Sequence, residues 1–358
     1  MTADEDLGVD QTEEGDLEAD SYITYDIATY PSDLTLRVLK DMWASNNITI
    51  PRFQRNFVWT IKQSSLLIES FLLGLPVPQA FFFIDDKNDN LVIDGQQRIT
   101  SIIYYLDGYF GDENYQGRRQ VFRLSGLNEK SPFFNKRFTD LEEKDQNKLL
   151  NSVLRVVNIR QMSPRNSDTA AFHIFERLNT GGTPLKPQEI RNCVFNGAIV
   201  DKLNELNKNP NWRLIIGKKT LDKHQRDVEI LLRVFAMYER LNKYEKPMKE
   251  FLNQTMGQNK DASSLVFVNF SDNFPIICKK IIEHFGEKPF HIRGPINLAA
   301  LDSVMAECLR HPKNDFGKAN LKYKLLLSDE AYRESIFFNT SDLSTVKQRM
   351  TSVRALFQ

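Results

Sequence analysis

Apolar and polar positions change period several times along the chain, and each change marks an element. Residues 80–84 and 91–94 open on short apolar runs between turn residues, which predicts two buried strands. Asn88, Asp89 and Asn90 lie between them and predict a hairpin. After Asp94-Gly95 the period becomes helical. Ile99, Ile102, Ile103 and Leu106 recur three and four apart, so a helix is expected over residues 96–106, with Asp94 as its N-cap. Residues 62–73 predict a further helix with Leu66, Leu67, Ser70, Phe71 and Leu72 inward. Gly74 closes it, and Pro76 and Pro78 prevent its continuation. Before it come a short helix over residues 34–42, capped by Asp33, and a strand over residues 48–53. Residues 121–124 and 154–162 read as strands. Residues 167–178 read as a helix with Phe172, Phe175 and Leu178 inward.

Beyond residue 198 the strand signal fades. Val228, Leu231, Leu232, Phe235 and Tyr238 share one face of a strong amphipathic helix over residues 227–241. Further helices are expected at 246–256, 272–285, 295–310, 329–337 and 342–355. The fold class is therefore α+β: an α+β front half followed by an all-helical C-terminal domain. The domain reading is an acidic, disordered tail over residues 1–20, an α+β domain over 21–198 and a helical domain over 199–358.

Charge changes this picture. The 358 residues hold 47 Lys or Arg and 47 Asp or Glu, so the formal net charge is zero. Residues 1–36 carry 11 of the acids and no Lys or Arg. The rest of the chain is correspondingly basic, which suits a polyanionic partner. Cys193, Cys278 and Cys308 are far apart and form no metal-binding pair, as expected in a reducing compartment. No apolar run approaches the about 18 residues a membrane span needs, and no basic-then-apolar leader opens the chain. The expectation is a soluble, cytoplasmic protein with no membrane partner.

Three polar blocks follow apolar elements: Arg52 to Arg55, Asp94 to Arg98, and Asn179 to Thr183 with Glu189, Arg191 and Asn192 beyond it. The second is the most informative. A strand that feeds a helix through glycine presents free main-chain N–H groups to an anion. Gln96, Gln97, Arg98 and Thr100 can add side-chain donors there. Arginine forks onto phosphate, and glycine lets the backbone approach a ligand.

In order along the chain stand Ile50-Pro51-Arg52-Phe53-Gln54-Arg55-Asn56-Phe57-Val58-Trp59, Leu73-Gly74-Leu75-Pro76-Val77-Pro78, Val92-Ile93-Asp94-Gly95-Gln96-Gln97-Arg98-Ile99-Thr100 and Phe175-Glu176-Arg177-Leu178-Asn179-Thr180-Gly181-Gly182-Thr183-Pro184-Leu185. With these four motifs the chain resembles the DGQQR-motif family, the N-terminal domain of GmrSD-type, modification-dependent (type IV) restriction enzymes. The resemblance covers about residues 34–200. It implies a ParB/sulfiredoxin-like fold for that part of the chain, nucleotide binding, and nucleotide hydrolysis linked to recognition or cleavage of modified phage DNA. It makes Asp94, Gln96, Gln97 and Arg98 the catalytic segment. Gln54, Arg55, Gly95, Thr100, Asn179, Thr180, Gly181 and Gly182 become nucleotide-binding residues.

Long members of that family add an HNH nuclease domain. The five histidines here, His173, His224, His284, His291 and His311, form no such cluster, and no Walker-type phosphate loop occurs. Glu142-Glu143-Lys144 reads as solvated surface. The expectation is a Mg²⁺-dependent nucleoside-triphosphate hydrolase in an anti-phage restriction system, acting with DNA and with a partner ATPase or nuclease subunit. The alternatives are a non-catalytic nucleotide-gated DNA-binding switch and a direct DNA nickase.

Overall fold

The longest strand of the sheet is Val153–Ser163 (β7), which has partners on both edges. On one side it pairs antiparallel with Asp26–Thr35 (β1), and on the other it runs parallel to Ala80–Ile84 (β3). β3 turns back antiparallel into Asn90–Asp94 (β4), as the hairpin signal predicts, and β4 takes Ile48–Thr49 (β2) in parallel. The order is β1-β7-β3-β4-β2. These features belong to a computed structural model that describes residues 25–50, 57–85, 88–111, 119–163, 169–178, 185–313 and 316–357. The expected tail over residues 1–20 lies outside them, as do Gln54, Arg55, Asn179, Thr180, Gly181 and Gly182.

Three helices cover one face of the sheet: Leu36–Ala44 (α1), Ile61–Leu73 (α2) and Gln96–Asp107 (α3). Phe82, Ile84, Val92, Leu154 and Val156 meet Leu39, Ile68, Phe71, Ile99, Ile102 and Ile103 in one core. Phe83 and Ile93 are buried as well but belong to the opposite face, since strand neighbours alternate. Thr169–Leu178 packs against β4. Burial on both faces explains why β3 and β4 read as continuous apolar runs. A short hairpin of Tyr109–Phe110 (β5) and Gln120–Val121 (β6) and the helix Glu143–Asn151 (α4) complete this part, with Thr169–Leu178 as α5.

Several expectations are corrected here. Leu34 and Asp33 lie in β1, and the first helix begins at Leu36 with Thr35 as its cap. The Asp33 carboxylate pairs instead with Arg155 across the strands at 2.9 Å. Leu66 is 51% exposed, and its place on the inner face of α2 is taken by Ile68. The strand expected at 121–124 stops at Val121. Glu142 and Lys144 form a solvent-exposed pair, as their reading as surface requires.

Compact units divide the chain into one from Tyr25 to Pro184 and one that takes in Leu185–Gln358. The second is helical: Pro187–Val194 (α6), Ala198–Asn207 (α7), Pro210–Ile215 (α8), Arg226–Arg240 (α9), Met248–Gln258 (α10), Leu265–Phe285 (α11), Leu298–Arg310 (α12), Ala319–Ser328 (α13), Glu330–Phe337 (α14) and Leu343–Phe357 (α15). The fold class is thus α+β, with a sheet-bearing front and a helical back. α12 is buried nearly all round, as suits the centre of a helical core. It receives α9 through an Arg233–Asp302 ion pair of 2.6 Å. No helix among the described residues is long and apolar enough to cross a membrane.

Candidate functional site

β4 ends at Asp94, and Gly95 turns the chain into α3 with φ +102°. A Cβ at this position would stand 2.7 Å from the Cβ and 3.2 Å from the Cα of Ala80. The turn is therefore pressed onto the first residue of β3, in a conformation that only glycine adopts without strain. Gly95 takes the N-cap position itself, and no side chain caps α3. This corrects the expected role of Asp94. One residue too early to reach the first-turn amides, its carboxylate accepts a hydrogen bond from Arg98 Nη2 at 2.7 Å, one helical turn on.

Arg98 is held from a second side. The same Nη2 donates to the main-chain oxygen of Gln79 at 3.0 Å. Gln79 ends the connection that follows α2, where Pro76 and Pro78 fix two φ angles. The Leu-Pro-Val-Pro motif thereby positions an acceptor for the arginine of the next motif. The Arg98 side chain is 16% exposed against 49% for Asp94, and its Nε–H is buried without a partner. The guanidinium has not exhausted its donors.

Gln97 performs a different task. Its Oε1 accepts from the main-chain N–H groups of Val58 at 3.0 Å and Trp59 at 3.2 Å. Both belong to the end of the first motif. Thr60 then caps α2 in a capping box with Gln63. A buried contact of 2.8 Å between the hydroxyls of Ser64 and Ser101 ties α2 to α3. Gln97 thus fastens the first motif to the helix of the third.

Gln96 lies half-buried in the first turn, and Thr100 is buried behind it at 6% exposure. Asp94, Gly95, Gln96, Gln97 and Arg98 are therefore brought together, with Thr100 beneath them. Sequence reasoning missed the carbonyl of Gln79 and the clamp on Val58 and Trp59. The fixed spacing of Pro76 and Pro78 before Gln79 was the available signal for the former.

Glu189, Arg191 and Asn192 were singled out with the third polar block. They lie on α6, which belongs to the helical unit. Arg191 is 1% exposed and donates to Asn253 at 2.8 Å, Glu229 at 2.6 Å and Gln188 at 3.2 Å. Buried polar groups need such partners, and the network holds α6, α9 and α10 together.

Residues 39–196 match the family model described as GmrSD restriction endonuclease, N-terminal domain. This stretch is a GmrSD-type N-terminal domain. The family is one of restriction-system components. No curated protein matches the chain. The GmrSD-type domain does not coincide with a compact unit: it begins within α1, after β1, takes in the other four strands of the sheet and continues through α6. Its Asp94-to-Arg98 segment occupies the turn just described.

An anion fits this turn. The helix start is uncapped by any side chain, the glycine leaves the backbone bare, and Arg98 retains an unpaired donor. Mg²⁺ has less to bind: among the described residues no group of three or more His, Cys, Asp or Glu could hold a metal. Asp94 Oδ2 is taken by Arg98, so a cation here would have one carboxylate oxygen and would need phosphates and water for its other ligands. That is an ordinary arrangement for Mg²⁺.

Proposed function

We propose that the chain is a nucleoside-triphosphate-binding and hydrolysing component of a DNA-directed, anti-phage restriction system. The observation that carries this reading is the uncapped N-terminus of α3, opened by a positive-φ glycine and flanked by a guanidinium fixed on two acceptors. Phosphate oxygens would accept from the first-turn N–H groups and from Arg98. Asp94 is a positioning residue that holds Arg98, and its second oxygen would help hold Mg²⁺, which supplies charge neutralisation when bound. Gln96 is the first-turn side chain that would orient a water, while Gln97 keeps the Val58–Trp59 backbone in place. Gln54, Arg55, Asn179, Thr180, Gly181 and Gly182 belong to the same reading through the family motifs.

A charge-assisted hydrogen bond contributes about 1.5–3 kcal/mol. Arg98→Ala should therefore weaken nucleotide binding by roughly 10- to 100-fold while the far-ultraviolet circular dichroism stays that of wild type. Calorimetric titration with the four ribonucleoside triphosphates measures the first, and phosphate release measures turnover. A folded Arg98→Ala protein that binds and hydrolyses as wild type does would sink the assignment.

One observation favours the switch reading over hydrolysis. Asp94 and Gln97, two of the expected catalytic residues, have side chains already engaged by Arg98 and by main-chain amides. A nucleotide-gated DNA-binding component would bind nucleotide without releasing phosphate, with or without DNA, and leave cleavage to a partner subunit. Phosphate release that rises on adding DNA would eliminate it.

A further inference from the structure

We infer that the loop of residues 217–225 in the helical unit is a preset contact for the phosphate backbone of duplex DNA. The inference rests on the DNA-directed reading above and assigns its DNA contact to a part of the chain beyond the family match.

Residues 185–358 hold 28 Lys or Arg against 20 Asp or Glu, so the excess of bases is concentrated in this unit. The loop carries Lys218, Lys219, Lys223 and His224 within eight residues. Lys219 and Lys223 are exposed. Lys288 adds to them from another segment. Its N–H donates to the Leu214 carbonyl at 3.2 Å. A Cβ on Gly217, where φ is +71°, would stand 2.9 Å from Lys288 Cε and 3.2 Å from His291 Nε2. Burial, and then the Lys288 charge, hold His291 below its ordinary pKa. Neither Lys219 nor Lys288 forms an ion pair among the described residues.

The acids nearby are engaged by the loop backbone, by Arg213 or by His224. Asp222 accepts from the N–H groups of His224 at 2.8 Å and Arg226 at 3.4 Å. Asp227 is buried against Arg213 at 2.7 Å. Glu189 lies 3.5 Å from His224 Nδ1.

The buried pair holds the loop backbone. Arg213 donates through Nε to the Lys218 carbonyl at 2.8 Å and through Nη2 to the Thr220 carbonyl. Asp227 accepts from the N–H of Asp222 at 3.0 Å. One buried ion pair thus fixes the backbone at Lys218, Thr220 and Asp222. A preset loop loses little conformational entropy when it binds. It contains no Phe, Tyr or Trp on which a base could stack, so it suits duplex phosphates better than single strands. Phosphate contacts carry no sequence information. This surface would hold modified and plain DNA alike and leave discrimination to another part of the protein.

The test is a full-length triple variant, Lys219→Gln, Lys223→Gln and Lys288→Gln, titrated with a fluorescent duplex between 50 and 200 mM salt. Each lost phosphate contact lowers the slope of log K against log salt by about 0.9, so three lower it by about 2.7. Across that salt range wild type should lose about 40-fold more affinity than the variant. Plain and modified duplexes should behave alike, and nucleotide affinity should stay within about twofold. A control triple variant elsewhere in the unit, Lys202→Gln, Lys243→Gln and Lys279→Gln, should keep the wild-type slope. An unchanged slope in the first variant, or an equal fall in the control, overturns the inference and leaves the nucleotide reading standing. Failure of wild type to bind duplex at all overturns both the inference and the DNA-directed part of that reading.

Discussion

Gly95 decides the geometry of the site more than any charged residue does. With φ at +102° an L side chain there is strained by about 1–3 kcal/mol before any contact is considered. Its Cβ would also enter the space of Ala80, which is backbone as well as methyl. Gly95→Ala is expected to lower the stability measured by urea unfolding by at least that amount, and to weaken nucleotide binding by displacing Arg98. Ala80→Gly in the same chain removes the 2.7 Å methyl contact but neither the strain nor the 3.2 Å approach to Cα. The double variant should recover part of the loss; full recovery would show that the φ angle is immaterial. The sequence made Gly95 legible because Asp-Gly between a strand and a helix is a turn signal. It misled at Asp94, because an acidic residue before a helix looks like a cap until the glycine is seen to occupy that position. The clamp made by Gln97 was not legible for a related reason. Its partners are main-chain amides 38 and 39 residues away, which no local pattern reports.

At the scale of elements, periodicity revealed what packs and missed what only pairs. β3, β4 and β7 bury apolar faces and were legible. β1 is an edge strand of ten residues containing Pro31 and Asp33, and among the described residues its strand partner is β7. Proline is tolerated at an edge, so the strand carries no signal except the pairing itself. α11 begins at Leu265 with Ser264 as its cap, well before the expected residue 272, and Pro275 lies inside it. The run Leu265-Val266-Phe267-Val268 is rich in residues that favour strands, and tertiary packing of Phe267, Phe270 and Phe274 overrides that preference. The Glu189–Asn192 block was read beside the ligand-binding motifs and proves to be a structural fastening. Arg191→Ala would strand Asn253 and Glu229. Breaking a buried pair costs about 3–5 kcal/mol, and Glu229, 23% exposed, can regain some water, so a loss near about 3 kcal/mol is expected in urea unfolding. Nucleotide affinity of the folded protein should not change. A variant of wild-type stability with weakened nucleotide binding would return Arg191 to the site.

For the whole molecule, zero net charge conceals an uneven distribution. Residues 1–20 hold nine acids and no base, whereas residues 185–358 hold eight more bases than acids. Tethering raises the effective concentration of one charged segment near another far above that of free chains. The acidic segment should therefore compete with DNA for the lysines of the helical unit and suppress non-specific binding. Deleting residues 1–20 is expected to raise affinity for plain duplex at 50 mM salt. The gain should fade toward 200 mM, as the screening length falls from about 14 to about 7 Å. Nucleotide binding should be unaffected, since every motif of that site lies after residue 49. The lysine variant of residues 219, 223 and 288 supplies the decisive comparison. If the acidic segment acts by covering those lysines, deleting it should help the triple variant much less than wild type. Equal DNA affinity with and without residues 1–20 at 50 mM salt would show that the acids exert no competition.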